Sequence, residues 1–102
     1  MNIRVLSPVR DFIDALDPHV RAHAYGLIDL LEQYGHKLAM PVAKPIGGGL
    51  WELRSHTRPA VRILYGFYGD GAVLVLALKK QRPALLAREI ELARKRFEAY
   101  CA

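Results

Sequence analysis

Two arginines, Arg54 and Arg62, have the chemistry to hold an anion. A guanidinium group stays charged and its planar fork can donate to two phosphoryl oxygens at once. Both lie in segments where apolar and polar residues alternate, which predicts neighbouring strands. Two cations side by side on an otherwise apolar sheet repel each other unless an anion sits between them. The pair therefore predicts an anion site; the alternative is two solvated strand arginines, one of them paired with Glu52 or Glu98.

Other polar side chains near this pair could act on the same anion. Lys79 and Lys80 end the next strand, and His56 lies in the turn Ser55–Pro59. A histidine beside cations can stay neutral at pH 7 and accept a proton. Lysines at a strand end also oppose aggregation, and a histidine in a surface turn often has no function, so both interpretations stay open. His19 and His23 have metal-ligand spacing, but no third ligand is evident and we predict no metal site.

The charge is concentrated in the middle of the chain. The net charge is +5 in 102 residues, and residues 37–82 carry +6 against −2 before them and +1 after them. A one-sided cationic surface favours a polyanionic partner, although it also serves solubility. The length predicts one domain, residues 1–102, and excludes a separate cofactor domain. The lone Cys101 fits a reducing cytosol, and neither a signal peptide nor a membrane span is expected.

The order of predicted elements is β-α-α-β-β-β-α. A strand at Ile3 and Val5 precedes two helices, which begin at Ser7-Pro8 and Asp17-Pro18 and end near Leu16 and at Gly35. Residues 36–49 are predicted to be an irregular loop. Strands are expected over 50–54, 61–68 and 72–78, and Pro83 is expected to open a last helix.

The alternation within the strands places the functional candidates on one face of the sheet. Trp51, Ile63 and Phe67 would face the helices, whereas Arg54, Arg62 and Tyr68 would share the opposite side. We expect the helices to cover only the first side. The second face would then be an open, cationic surface on which Tyr68 could donate to a phosphate or stack on a base.

The motifs in this order resemble the RelE/ParE toxin superfamily and, within it, the HigB-like and phage-derived toxins. They are Gly49-Leu50-Trp51-Glu52-Leu53-Arg54, Val61-Arg62-Ile63-Leu64-Tyr65-Gly66-Phe67, the strand ending in Lys79-Lys80, and Pro83 followed by Glu89-Ile90-Glu91-Leu92-Ala93-Arg94. The resemblance covers nearly the whole chain and implies an α+β, RelE-like fold with an antiparallel-rich sheet. Leu78 and Gln81-Arg82 depart from the usual Phe before the lysine pair and the Thr-rich turn after it.

The resemblance implies a cytoplasmic toxin of a type II toxin–antitoxin module. Such toxins pair with a helix-turn-helix antitoxin in a hetero-oligomer, and many cleave mRNA on the ribosome without metal or cofactor. On this interpretation the catalytic candidates are Arg54, Arg62, Lys79, Lys80 and His56, and the RNA contacts are Lys44, Arg58, Tyr68 and Arg82. The alternatives are a ParE-like gyrase inhibitor that is not an enzyme, and an inactive phage-type module that only binds an antitoxin.

Overall fold

Three helices pack on a five-stranded mixed sheet in the computed structural model, which describes residues 1–102. The predicted α+β class, with an N-terminal helical hairpin and a C-terminal helix, is confirmed. The elements in chain order are β1 (Asn2–Val5), α1 (Ser7–Asp14), α2 (Pro18–Tyr34), a 3-10 turn (Gly35–Lys37), β2 (Ala43–Gly47), β3 (Leu50–Arg54), β4 (Val61–Tyr68), β5 (Gly71–Lys79) and α3 (Ala87–Cys101).

The sheet has the strand order β1-β5-β4-β3-β2. β1 runs parallel to β5, and every other neighbouring pair is antiparallel. The predicted irregular loop over residues 36–49 is wrong in part, because β2 lies within it and pairs with β3. Pro45 is compatible with β2 because this strand is at the sheet edge, where a missing N–H breaks no internal ladder. Gly48 and Gly49 have positive φ and turn the chain from β2 into β3.

Each face of the sheet has its own core. The hairpin face lies under α1 and α2, and the α3 face lies under the C-terminal helix. The hairpin face buries the larger cluster, which includes Val9, Ile13, Val20, Ala24, Leu31, Leu53, Val61, Ile63, Tyr65 and Leu74. The α3 face buries Leu50, Leu64, Val73, Val75 and Ala93, with Phe97 and Tyr100 packed against them.

The expectation that one face of the sheet is open is wrong. α3 covers the middle of that face, and Gly66 makes the close approach possible, since a Cβ there would lie 2.6 Å from the ring of Phe97. Nη1 of Arg96 donates to the carbonyl of Val75 at 2.9 Å and ties α3 to β5. At one end of this face the Arg54 side chain keeps 30% of its surface exposed.

Side-chain hydrogen bonds stabilise the N-terminal ends of two of the three helices. Asp17 caps α2 by accepting from the backbone N–H groups of His19 and Val20. The expectation that Pro83 opens the last helix is wrong: α3 begins four residues later, at Ala87, and the Glu89 carboxylate accepts from the Leu86 N–H at 2.7 Å at this end. The expected Ser7 cap of α1 is absent: Ser7 is already helical, and no side chain caps this helix. None of the three helices combines the length and the hydropathy needed to cross a membrane.

Candidate phosphate-binding site

The strand register brings the two arginines together. Arg54 of β3 lies directly opposite Arg62 of β4, so the expectation that these residues are neighbours on one face is confirmed. One row further in, Glu52 lies opposite Lys44 of β2. Partners in register share a face of the sheet, and these four charged side chains therefore lie together at one end of the α3 face.

Glu52 is the centre of this group. Its side chain is 1% exposed, and its two oxygens engage different arginines. Oε1 accepts from Nη2 of Arg54 at 3.1 Å, and Oε2 lies 3.4 Å from Nε of Arg62. The alternative of two solvated arginines, one of them paired with Glu52, is thus correct in the pairing and wrong for Arg62, which is not solvated. The resulting Glu52–Arg54–Arg62 cluster carries a net charge of +1, which favours a further anion.

Arg62 is buried and internally bonded. Its side chain is 2% exposed, and Nη2 donates to the carbonyls of Arg82 at 3.0 Å and Pro83 at 2.6 Å. The expectation that Arg62 grips a phosphate on an open surface is therefore wrong for this structure. Its donors instead hold the segment that leads into α3. Because a buried charge needs such partners, the sequence segment after β5 folds over it.

Arg54 keeps donors for an outside partner. Its side chain is 30% exposed, and Nη2 is the only one of its guanidinium nitrogens with a hydrogen bond. Nε of the same guanidinium is buried without a partner. Glu52 holds the group in place through Nη2, which leaves Nη1 able to donate to a phosphoryl oxygen.

A cavity of about 250 Å³ lies beside the cluster, between the sheet and the segment leading into α3. Lys44, Glu52 and Arg62 supply its charged lining, and the rest is mainly apolar: Ile46, Pro83, Ala84, Leu85 and Ile90. Lys44 was expected to contact RNA only as one of several cations. Lys44 lies opposite Glu52 because residues 43–47 form β2, which the loop prediction missed. The signal in the sequence was that the segment Ala43 to Gly47 can pair with the neighbouring predicted strand.

A hydrogen-bonded turn presents His56 and Arg58 to solvent at this end of the sheet. The hydroxyls of Ser55 and Thr57 are 2.8 Å apart, and the backbone N–H of Val61 donates to the Ser55 hydroxyl at 2.8 Å. Both expected site residues of the turn are exposed. They lie in the connection between Arg54 and the strand of Arg62, so the turn lies at the same end of the sheet as these two arginines.

Lys79 and Lys80 are adjacent, so at most one of them can share the face of Arg62, and a β-bulge in β5 decides which. Leu74 pairs with Tyr65 and Leu76 with Leu64, which leaves Val75 as an extra residue. After this shift Lys79 lies opposite Val61, on the hairpin face, and lines a different cavity with Phe12 and Asp17. The expectation that Lys79 acts beside Arg62 is therefore wrong. Lys80 follows the strand end, half-buried, with its backbone N–H bonded to the Ala60 carbonyl.

Of the remaining two candidates, Tyr68 lies away from the arginine cluster and Arg82 lies beside it. Tyr68 is on the same face as Arg62 but six residues along β4, about 20 Å away at a strand's rise per residue. It packs against Tyr100, and its hydroxyl donates to the Cys101 carbonyl at 3.4 Å, so it is not part of the cluster. Arg82 is near the cluster, and its Nη2 donates to Glu89 at 2.8 Å.

We name the group formed by Lys44, Arg54, Arg58, Lys80 and Arg82 the cationic end of the sheet. One comparison with known proteins bears on it. The family model described as phage derived protein Gp49-like (DUF891) matches residues 11–98, which include all of these residues. No curated protein matches the chain.

Proposed function

The chain belongs to the family of phage-derived Gp49-like proteins, and from this premise we propose that it is the toxin of a type II toxin–antitoxin module. We propose further that it cleaves mRNA, on the ribosome, at the cationic end of the sheet. The observation that carries this proposal is Arg54, whose guanidinium is fixed by Glu52 through Nη2, keeps Nη1 without a hydrogen-bond partner and is 30% exposed. The resemblance of the motifs to HigB-like toxins supports the same function.

The reaction needs no group from outside the protein and the RNA. The 2′-oxygen bonds to the adjacent phosphorus, the bond from phosphorus to the 5′-oxygen breaks, and a cyclic phosphate and a 5′-hydroxyl result. Arg54 would stabilise the extra negative charge on the phosphoryl oxygens. His56 would take the 2′-hydroxyl proton, and Lys80 is the candidate donor to the 5′-oxygen. Arg62 acts through other residues in this scheme: it positions Glu52, and thereby Arg54.

A helix-turn-helix antitoxin is the proposed partner, in a hetero-oligomer with the toxin. A non-enzymatic role is the second candidate, in the form of either a gyrase inhibitor or a module that only binds an antitoxin. The burial of Arg62 favours this second candidate, since it removes one of the two guanidinium groups expected to contact the phosphate.

Controlled expression of the chain alone tests the proposal. Growth should stop, translation should fall before replication, and mapped transcripts should show new 5′-hydroxyl ends. Arg54→Ala should lower cleavage about 100-fold or more, the usual loss for a donor to transition-state charge. Arg10→Ala is the matched control, because Arg10 is an exposed cation on α1, which packs on the hairpin face.

Three outcomes would count against the proposed activity. Intact transcripts during growth arrest exclude cleavage, and a replication block that precedes the fall in translation favours the gyrase-inhibitor alternative. Harmless expression of the wild-type chain, with tight binding to a helix-turn-helix protein, favours the inactive module.

A further inference from the structure

The cavity beside Glu52 has the lining of a site for one nucleobase. Its charged floor is formed by Glu52 and Arg62, and Lys44 adds a further cation. The remaining walls are mainly aliphatic side chains and proline, which suit the flat face of a ring. At about 250 Å³ it is smaller than the roughly 300–1,000 Å³ pockets of drug-sized ligands, so a single ring system matches it better than a larger ligand.

Glu52 lines this cavity and carries a carboxylate oxygen without a hydrogen-bond partner. Its carboxylate is 99% buried, and Oε2 has no hydrogen-bond partner, because the nearby Nε of Arg62 lies at 3.4 Å without hydrogen-bond geometry. A buried acceptor without a donor is costly, and a ligand with a suitably placed N–H would satisfy it. The other oxygen, Oε1, is already occupied by Arg54. The site therefore offers one acceptor position, and not a two-oxygen fork.

We infer that this cavity binds a nucleobase with an exocyclic amino group, which donates to Oε2 of Glu52, while Lys44 contacts the phosphate of the same nucleotide. Carboxylates accept from base amino groups in this way, and enzymes that act on single strands hold unstacked bases between apolar side chains. Cytosine, adenine and guanine carry such an amino group, whereas uracil does not. This inference rests on the proposed function, since it gives the RNA site a base preference.

Nuclear magnetic resonance titration of the purified chain with nucleoside 5′-monophosphates tests the inference. Two pairs of probes differ in an amino group: CMP against UMP, and GMP against IMP, which is GMP without its 2-amino group. In at least one of the two pairs, the nucleotide with the amino group should bind about tenfold more tightly than the one without it. This is the ratio expected for a hydrogen bond to a charged acceptor. The shifted amide signals should include those of residues 44–46 and 83–90.

Ala84→Leu is the decisive variant, because Ala84 is exposed at the cavity and contributes no charge. A larger side chain there should abolish the preference for amino bases, whereas Ala99→Leu, at an exposed position of α3, should leave it unchanged. Glu52→Gln should also remove the preference. Glu52→Gln also disturbs Arg54 and Arg62. Ala84→Leu changes the cavity without removing their carboxylate partner, so it separates loss of the base site from disturbance of the arginines.

The results distinguish this inference from the proposed function. Equal affinities within both pairs, no shifts with any nucleotide, or an unchanged preference in Ala84→Leu overturn the base site. If RNA is still bound and cleaved in that case, the proposed function stands without it. Loss of all RNA binding and cleavage overturns both.

Discussion

Glu52 organises the candidate site more than either arginine does. It is the single acid between residues 37 and 69, and both neighbouring guanidinium groups are oriented by its carboxylate. Strand alternation already placed Glu52 on the side of Arg54, and that part of the site was available from sequence. The burial of Arg62 was not, because it depends on two backbone carbonyls twenty residues away in the chain.

Replacement of Glu52 should destabilise the fold. Glu52→Leu leaves the buried Arg62 without its counter-charge, and we expect a loss of about 3–5 kcal/mol in the free energy of unfolding. The double variant Glu52→Leu/Arg62→Leu should lose much less, since no isolated charge remains. Urea denaturation of the three proteins measures the coupling.

Glu98→Leu is the control for loss of an acid from an ion pair. Glu98 pairs with Arg94 on the exposed side of α3, and its loss should cost less than about 1 kcal/mol. If Glu52→Leu is as mild as Glu98→Leu, the cluster is not the buried ionic centre described above.

Tyr65 predicts a specific loss of stability at alkaline pH. Its hydroxyl is buried without a partner, and burial raises the pKa of Tyr65 to about 12 from the usual 10.0. Above pH 10 the unfolded chain loses this proton while the folded chain keeps it. The contribution of Tyr65 to stability is therefore complete below pH 10 and declines between about pH 10 and 12.

Tyr65→Phe removes the titrating group and should flatten this decline. The urea midpoint should be compared at about pH 9 and about pH 11 for wild type, Tyr65→Phe and the exposed control Tyr34→Phe. The same alkaline decline in Tyr65→Phe and wild type would assign the effect to other groups.

At the scale of elements, β5 decides the arrangement of the site. Its β-bulge at Val75 shifts Lys79 to the hairpin face. The Val75 carbonyl accepts a hydrogen bond from Arg96 of α3. Simple alternation along β5 would have placed Lys79 on the face of Arg62. The strands that flank β3 and β4, which are β2 and β5, each contain a register shift that sequence periodicity does not report.

The contact between β1 and β5 requires a glycine. A Cβ on Gly71 would lie 1.6 Å from the carbonyl oxygen of Asn2, a backbone atom that cannot move aside cheaply. Gly71→Ala should therefore displace β1 and cost at least about 2 kcal/mol of unfolding free energy.

Gly26→Ala is the matched substitution for this test. Gly26 is an exposed residue inside α2 with open space around it, and alanine there should stabilise the chain by about 0.5–1 kcal/mol. Thermal unfolding of both variants should show opposite shifts in Tm. A neutral Gly71→Ala would mean that β1 is not held against β5 as described.

At the scale of the whole molecule, the uneven charge predicts how RNA binding responds to salt. Binding to single strands releases about 0.7 counterions for each phosphate contacted, so the logarithm of the affinity should fall linearly with the logarithm of the salt concentration. Lys44→Ala should reduce the steepness of this line by about 0.7 if Lys44 contacts a phosphate.

Lys37→Ala is the control for a general charge effect. Lys37 is exposed in the 3-10 turn, next to His36, which stacks on Phe67 of the hairpin face. Lys37→Ala should leave unchanged the slope of the logarithm of RNA affinity against the logarithm of salt concentration. Equal effects of the two variants would indicate non-specific attraction to the whole chain and not binding at the cationic end of the sheet.

The sequence by itself determined the α+β class, the helical hairpin, three of the five strands in detail, and the shared face of Arg54 and Arg62. These features follow from patterns of period two or 3.6 and from caps, which involve residues close in the chain. Only the tertiary structure decided that α3 covers that face, that Arg62 is buried beneath residues 82 and 83, and that Lys79 points away. Each of these depends on a contact between distant segments or on one extra residue in a strand, and neither leaves a local pattern.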